Sequence, residues 1–302
     1  MRHGRAGLRA ESRPDGAGAP NRNSLRQFWL NHPRVAYHYS RRALIDGLHW
    51  RDWVRRTRQG PVRLAVELGC EHGERLIQLV QQEYAEQAVG IDRDPSRFAN
   101  RYEAAGGRVR LMAQDLDELS LPPNSCDLIF ALHSLHHYEN LEHIMQTAAQ
   151  ALTPDGFFVV ETYAGPPRFQ WTDDQLRFTA GFLGLMPAHL RRYPSGIEKR
   201  AEGRTTVDEV MRVCPGEAAG SNLIVPLFHR YFRVLHQQAL GGAIQHLLYS
   251  GIIHNFPDHD PATDHLIDCV ADLEYALIGR GVLSSDFVLL VGGKRKDIKT
   301  NV

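Results

Sequence analysis

The sequence predicts an α/β fold, a doubly wound and mostly parallel sheet of seven strands, and three observations predict it. From residue 62 onward, short apolar runs alternate with stretches of helical periodicity. The runs are apolar throughout rather than at every second residue, which is how strands read when helices cover both faces of the sheet. Acidic residues and glycines gather where the runs end, and the carboxyl ends of parallel strands are where such sheets bind ligands. The chain has 302 residues, 43% of them hydrophobic, so it carries enough apolar material for a sizeable core.

The elements follow in order. Residues 1–23 hold too few apolar side chains to offset the entropy of ordering them, which predicts a disordered tail. Residues 24–60 predict two short amphipathic helices, with Phe28, Trp29, Leu30, Ala43, Leu44, Leu48, Trp50 and Val54 as their apolar side. The core, 61–165, predicts a strand at 62–68, a helix at 74–85, a strand at 88–92 and a helix at 95–105 that begins at a proline. Strands at 109–112, 126–132 and 156–162 come next, the last two separated by a helix at 141–152 that stops at T-P-D-G. Residues 166–225 break the rhythm with prolines and polar residues, an insertion with helical segments near 173–183 and 207–213 that reads as a substrate lid. Residues 226–302 complete the sheet with a strand at 231–236, helices at 243–253 and 263–278, and a last strand at 286–291.

Charge and composition exclude several functions. The 35 basic and 35 acidic side chains cancel overall, yet residues 1–60 hold thirteen arginines, no lysine and four acids, a net +9 that leaves −9 for the rest. An acidic body behind an arginine-rich start speaks against a nucleic-acid binder, whose domain is usually basic as a whole. The polar face Arg41, Arg42, Arg51, Arg55, Arg56 and Arg58 reads instead as an anion-attracting rim. No apolar run approaches the roughly 20 residues that cross a bilayer, and the first residues contain no apolar signal segment. The four cysteines show no C-x-x-C spacing, so no metal site or disulfide framework is expected and a reducing cytoplasm is the expected compartment. Oligomeric state is left open.

The first strand ends in V-E-L-G-C-E-H-G-E-R-L, which puts Glu67, Gly69 and Gly73 at a strand-to-helix turn where backbone can approach a ligand. Asp92 closes the second strand nineteen residues after Gly73, placed for a carboxylate to accept both hydroxyls of a ribose. Asp115 follows the third strand. A nicotinamide cofactor would fit the acid after the second strand but expects G-x-G-x-x-G, whereas this turn is G-x-x-x-G.

Through V-E-L-G-C-E-H-G, V-G-I-D-R-D-P-S, A-Q-D-L, C-D-L-I-F-A-L-H-S-L-H-H-Y and L-T-P-D-G-F-F-V-V-E-T, residues 62–162 resemble the class I S-adenosylmethionine-dependent methyltransferases, a Rossmann-like family. The resemblance implies that Glu67, Gly69 and Gly73 line the methionine side of S-adenosylmethionine, that Asp92 binds its ribose, and that Asp115 with Leu116 borders its adenine, with Arg93 at the adenine rim. It also implies that the last strand is an antiparallel edge strand. The family pattern E/D-x-G-x-G-x-G is broken by Glu71, which stands where the middle glycine is expected. Either the turn absorbs Glu71 toward solvent, or the methionyl arm is held differently and offers its 3-amino-3-carboxypropyl carbon instead of the methyl, or cofactor binding is lost and the chain is non-catalytic.

Acceptor chemistry is expected from His133 and His136, which with His137 and Tyr138 follow the fourth strand; imidazole titrates near neutrality and can take a proton from a hydroxyl, phenol or amine. Residues 166–171 with Lys199, Arg200 and Arg204 could frame a carboxylate or phosphate. The group H-D-P-A-T-D-H at 259–265 reads as a helix cap rather than a metal site. The resulting expectation is a transferase that methylates oxygen or nitrogen of a small metabolite in a bacterial biosynthetic pathway.

Overall fold

The computed structural model describes residues 28–58, 60–94 and 106–295. The expected tail at 1–23 and the expected helix at 95–105 lie outside them. Two compact units divide the chain: one comprises Ala43–Ala164, Ala218–Gln238 and Val288–Val302, the other Met1–Arg42, Gly165–Glu217 and Ala239–Phe287.

The first unit is organised by the sheet. Strand β1 (Val62–Leu68) pairs in parallel with β2 (Ala85–Asp92) and β4 (Cys126–Leu132). Strand β3 (Val109–Ala113) extends β2, and β5 (Leu152–Tyr163) extends β4, again in parallel. With β6 (Phe232–Gly241) and β7 (Phe287–Lys294) the order is β3-β2-β1-β4-β5-β7-β6, a mixed sheet of seven strands. Val66, Leu68, Val89, Ile91, Ile129, Ala131, Phe158 and Val160 form one face of the core with Leu141, Ile144, Met145 and Ala148 from the helix Leu141–Ala151. Burying each of the larger side chains contributes about 1.5–3 kcal/mol, so this face holds the strand ends in fixed register. At the amino end of β4, buried Asp127 accepts from Arg58 Nη2 (2.6 Å), Arg63 N–H (2.8 Å) and Thr153 Oγ1 (3.0 Å), which ties the starts of three strands together.

Several boundaries differ from the sequence reading. The helix expected at 74–85 ends at Gln81, because Glu83 turns the chain with φ +52° and β2 already begins at Ala85. The exposed Glu86 and Gln87 hide that strand's first half. T-P-D-G lies inside β5 rather than between helix and strand, beside an irregularity in register opposite Cys126 and Leu128. The helix expected at 243–253 is confined to Gln245–Tyr249. The last strand does not form the outer edge: β7 sits between β5 and β6. Its residues are buried almost without interruption, as a strand paired on both sides requires, whereas β6 is only half-buried along most of its length.

The second unit contains the helices Pro33–Arg42, Asp173–Leu185, Val207–Val213 and Pro261–Gly279. Capping boxes at Thr172 with Gln175 and Thr206 with Glu209 start two of them. Asp260 caps Pro261–Gly279 by accepting the Thr263 N–H at 2.9 Å, as the sequence reading of that segment expected. Among the described residues no helix is long and apolar enough to cross a membrane.

Candidate functional site

The turn after β1 is stitched to the end of β2. Gly69 and Cys70 donate their N–H groups to Ile91 O (2.8 and 3.2 Å), and the Glu71 N–H donates to Asp92 Oδ2 at 2.9 Å. The other Asp92 oxygen accepts the Asp94 N–H at 3.2 Å. Asp92 is thus a clamp on the turn as well as a candidate ribose ligand, a second role that its spacing does not disclose. Gly69 has φ +75°, Glu71 +48° and Gly73 +69°, and Gly73 is the N-cap of the helix Glu74–Gln81. Glu71 therefore sits with a backbone that favours glycine, and its side chain is partly exposed.

Glu67 is fully buried at the carboxyl end of β1, opposite Gly90 of β2 and Phe130 of β4. Its Oε1 accepts from Arg75 Nε at 2.6 Å, while its Oε2 is buried with no hydrogen-bond partner among the described residues. Burial pushes the carboxyl up to about 7; Arg75 opposes the rise, and the charges of Glu71 and Asp92 add to it. A proton that an unfolded carboxyl takes up near pH 4.5 is thus taken up near pH 7 in the folded chain, so folding is favoured as pH falls through that window. Urea unfolding of the ligand-free protein is expected to show stability rising by about 2 kcal/mol from pH 8 to pH 5 relative to Glu67→Gln. Parallel pH profiles for the two proteins would contradict the assignment.

After β3, Asp115 accepts the Asp117 N–H at 3.1 Å and caps the short turn Leu116–Glu118. The Leu116 side chain is wholly buried in the core, so what this residue offers a ligand is its main chain. The Arg93 guanidinium lies 4.8 Å from the centre of the Tyr138 ring and donates to His137 O at 3.4 Å.

His133 follows β4 with φ +55°, and its N–H donates to Glu161 O at 2.6 Å. Its Nε2 lies 3.3 Å from Glu161 Oε1, and its side chain is 41% exposed. His136 is built differently: its Nδ1 is 2.9 Å from Thr162 Oγ1 and its ring packs on His137 at 4.0 Å. Arg75, Ser134 and Glu161 are the residues that sequence reasoning missed. Ser134 is buried and donates Oγ–H to Leu68 O at 2.6 Å, which brings it against Gly69.

The cations expected to frame an anion are committed elsewhere. Lys199 is buried and donates to Leu247 O (2.6 Å) and Ser250 O (2.9 Å) beside Glu202. Arg204 donates to Trp171 O at 2.5 Å and pairs with Asp173, and Arg200 lies 3.4 Å from Glu198. The expected arginine rim is likewise partly consumed, since Arg58 pairs with Asp127 and Arg42 lies over the Tyr275 ring at 3.3 Å. Buried carbonyls and carboxylates need donors, and these side chains supply them.

The sheet order found here, with a left-handed turn after β1 and acids closing β1 and β2, is that of the α/β methyltransferase fold. Residues 66–160 match the family model described as "Methyltransferase domain". Among solved structures, an S-adenosylmethionine-dependent methyltransferase from Mesorhizobium loti is 21% identical, with 80% of this chain and 96% of that one covered at a TM-score of 0.46. Geranyl diphosphate C-methyltransferase from Streptomyces coelicolor A3(2), solved with Mg2+, geranyl diphosphate and S-adenosyl-L-homocysteine, is 10% identical over 82% of this chain and 80% of that one, with a TM-score of 0.50. The [4+2]-cyclase SpnF is 16% identical over 81% and 80%, with a TM-score of 0.45. At 10% identity the likeness to the geranyl diphosphate enzyme is one of fold. No curated protein matches the chain.

Proposed function

We propose that the chain is an S-adenosylmethionine-dependent methyltransferase acting on oxygen or nitrogen of a small-molecule acceptor. The observation that carries this reading is the buried, unpartnered Oε2 of Glu67, set at the same strand ends as the turn that Asp92 clamps. A buried polar atom without a partner is costly, and a donor from a ligand relieves the cost. The donor set suits the cofactor: an acid at the end of β1 for its cationic amino-acid part, a turn of left-handed residues for close approach, and an acid at the end of β2 for the ribose hydroxyls. When bound, S-adenosylmethionine supplies a methyl group activated by the sulfonium.

The chain's own part is positioning and proton transfer. His133 takes the acceptor proton, and Glu161 beside its Nε2 holds the ring in place. His136, bonded to Thr162 and packed on His137, has the environment of an architectural residue and supports the turn that carries His133.

Titration calorimetry with S-adenosylmethionine, followed by incubation with phenol, alcohol and amine acceptors and analysis of the nucleoside product, tests the reading. Binding with formation of S-adenosylhomocysteine is expected, and His133→Ala is expected to slow turnover with cofactor affinity retained. Methylthioadenosine as the product would mean transfer of the aminocarboxypropyl group instead, and absence of binding would mean a non-catalytic homologue.

A further inference from the structure

The second unit sets four rings around His246. Trp29 stacks on the imidazole with centres 5.7 Å apart and planes at 23°. Trp171, Phe169 and Phe287 meet it at steep angles, at 6.0, 6.0 and 5.7 Å, and Phe169 stacks on Trp171 at 5.6 Å. Rings packed together are ordinary core, but the two indoles are not: Trp29 and Trp171 are 3% and 6% exposed, and each buries its Nε1–H with no acceptor among the described residues. A buried indole N–H usually has a partner, and two without one in a single cluster carry a cost that a ligand oxygen removes. The ring over Trp171 is also held under strain. Arg168 and Phe169 are consecutive non-glycine residues at φ +53° and +54°. Arg168 Nη1 donates to Pro215 O and Glu217 O, and Gln170 Nε2 donates to Thr205 O at 2.8 Å, which pins the segment in that conformation. Phe169 and His246 are the partly exposed rings, so the cluster meets solvent at their edges.

We propose that this cluster is a binding site for an uncharged, planar aromatic carbonyl compound, whose ring takes the place of the Phe169 ring and whose oxygen accepts from the indole N–H groups. A phenyl ring fills that place in the ligand-free chain but gives the indoles nothing to donate to. Its strained backbone favours release once a better occupant competes for the stacking surface of Trp171. The ligand's charge follows from the groups that would meet it. Burial foremost, and then the Lys199 charge, bring the His246 imidazole down to about 4 against the pull of Glu217, so this ring is neutral at pH 7. Lys199 is itself paired with Glu202. A carboxylate would therefore lose its water without gaining a counter-charge, whereas a carbonyl needs only the N–H groups. Every residue of the site belongs to the second unit, and the inference stands apart from the cofactor reading.

Magnetic resonance of the indole N–H groups in the full chain, which has four tryptophans, tests this with acetophenone, ethylbenzene and benzoate as probes. Acetophenone is expected to move the Trp29 and Trp171 signals downfield and to leave that of Trp53, whose Nε1 already donates to Asp46 Oδ2. Ethylbenzene has nearly the same shape without the oxygen and is the more hydrophobic, so a cluster that only packed rings would prefer it. Acetophenone is instead expected to bind about tenfold more tightly than either other probe, and Trp29→Phe and Trp171→Phe, which keep a ring and lose the donor, are each expected to reduce that preference to about threefold. Phe169→Ala is expected to bind acetophenone about fivefold more tightly with the preference retained, because the competing ring is gone. Native indole signals that acetophenone does not move, or ethylbenzene bound as tightly as acetophenone in the native chain or in Phe169→Ala, would overturn the inference. Either result would leave the assignment of S-adenosylmethionine untouched, since that is read from its own titration.

Discussion

Asp92→Ala is expected to weaken S-adenosylmethionine binding by a hundredfold or more, about 3 kcal/mol, while the far-ultraviolet circular dichroism stays native. The size follows from the two duties of one carboxylate. In the ligand-free chain its oxygens accept the Glu71 and Asp94 N–H groups at 2.9 and 3.2 Å, and only 8% of the residue is exposed. Each oxygen has a second lone pair, which is what ribose hydroxyls would use. Hydrogen bonds to a charged acceptor are worth about 1.5–3 kcal/mol each, so losing two of them accounts for the expected drop before any loosening of the turn is counted. Asp92→Asn separates the duties: its amide keeps one oxygen and turns the other into a donor, so the variant retains the size of the side chain and loses half of its acceptor capacity. An intermediate loss, about tenfold, is expected for it. Calorimetry that found Asp92→Ala within threefold of the native affinity would reduce Asp92 to a clamp and withdraw its assignment to the ribose.

The pairing of Asp92 with the Glu71 N–H also marks the boundary of what the sequence discloses. Strand positions were legible because V-R-L-A-V-E-L and C-D-L-I-F-A-L bury nearly every residue, and the acids at their ends were legible because strand ends of a parallel sheet converge. Arg75, Ser134 and Glu161 were not, since each acts across elements on a partner that no spacing links to it. Lys199 and Arg204 show the same limit from the other side. They look available as a pair of positive charges, yet besides Glu202 and Asp173 their partners include main-chain carbonyls, which every segment of chain possesses and no composition reveals. The position of β7 was a misreading of a different kind, because its unbroken apolar run F-V-L-L-V already carried the burial pattern of an interior strand.

Gly69→Ala is expected to destabilise the protein by about 3 kcal/mol or more, lowering Tm by roughly 6–10 °C. Two terms add at this position. A side chain at φ +75° sits in the left-handed region, at a cost of about 1–2 kcal/mol. The new Cβ would stand 2.4 Å from Ser134 Cβ and 2.9 Å from Ser134 Oγ, closer than packed carbons approach, and Ser134 cannot retreat without giving up its 2.6 Å hydrogen bond to Leu68 O. The turn and the segment that carries His133 therefore leave no room for a side chain at Gly69, and relief of the clash in the variant should move both. A double-mutant cycle separates the terms. Ser134→Gly removes the clashing atoms and leaves the φ cost, so Gly69→Ala should be milder in that background, by about the part that exceeds 1–2 kcal/mol. Equal destabilisation in both backgrounds would place the whole effect in the backbone and remove Ser134 from the account, while thermal unfolding of Gly69→Ala at the native midpoint would refute the close packing itself.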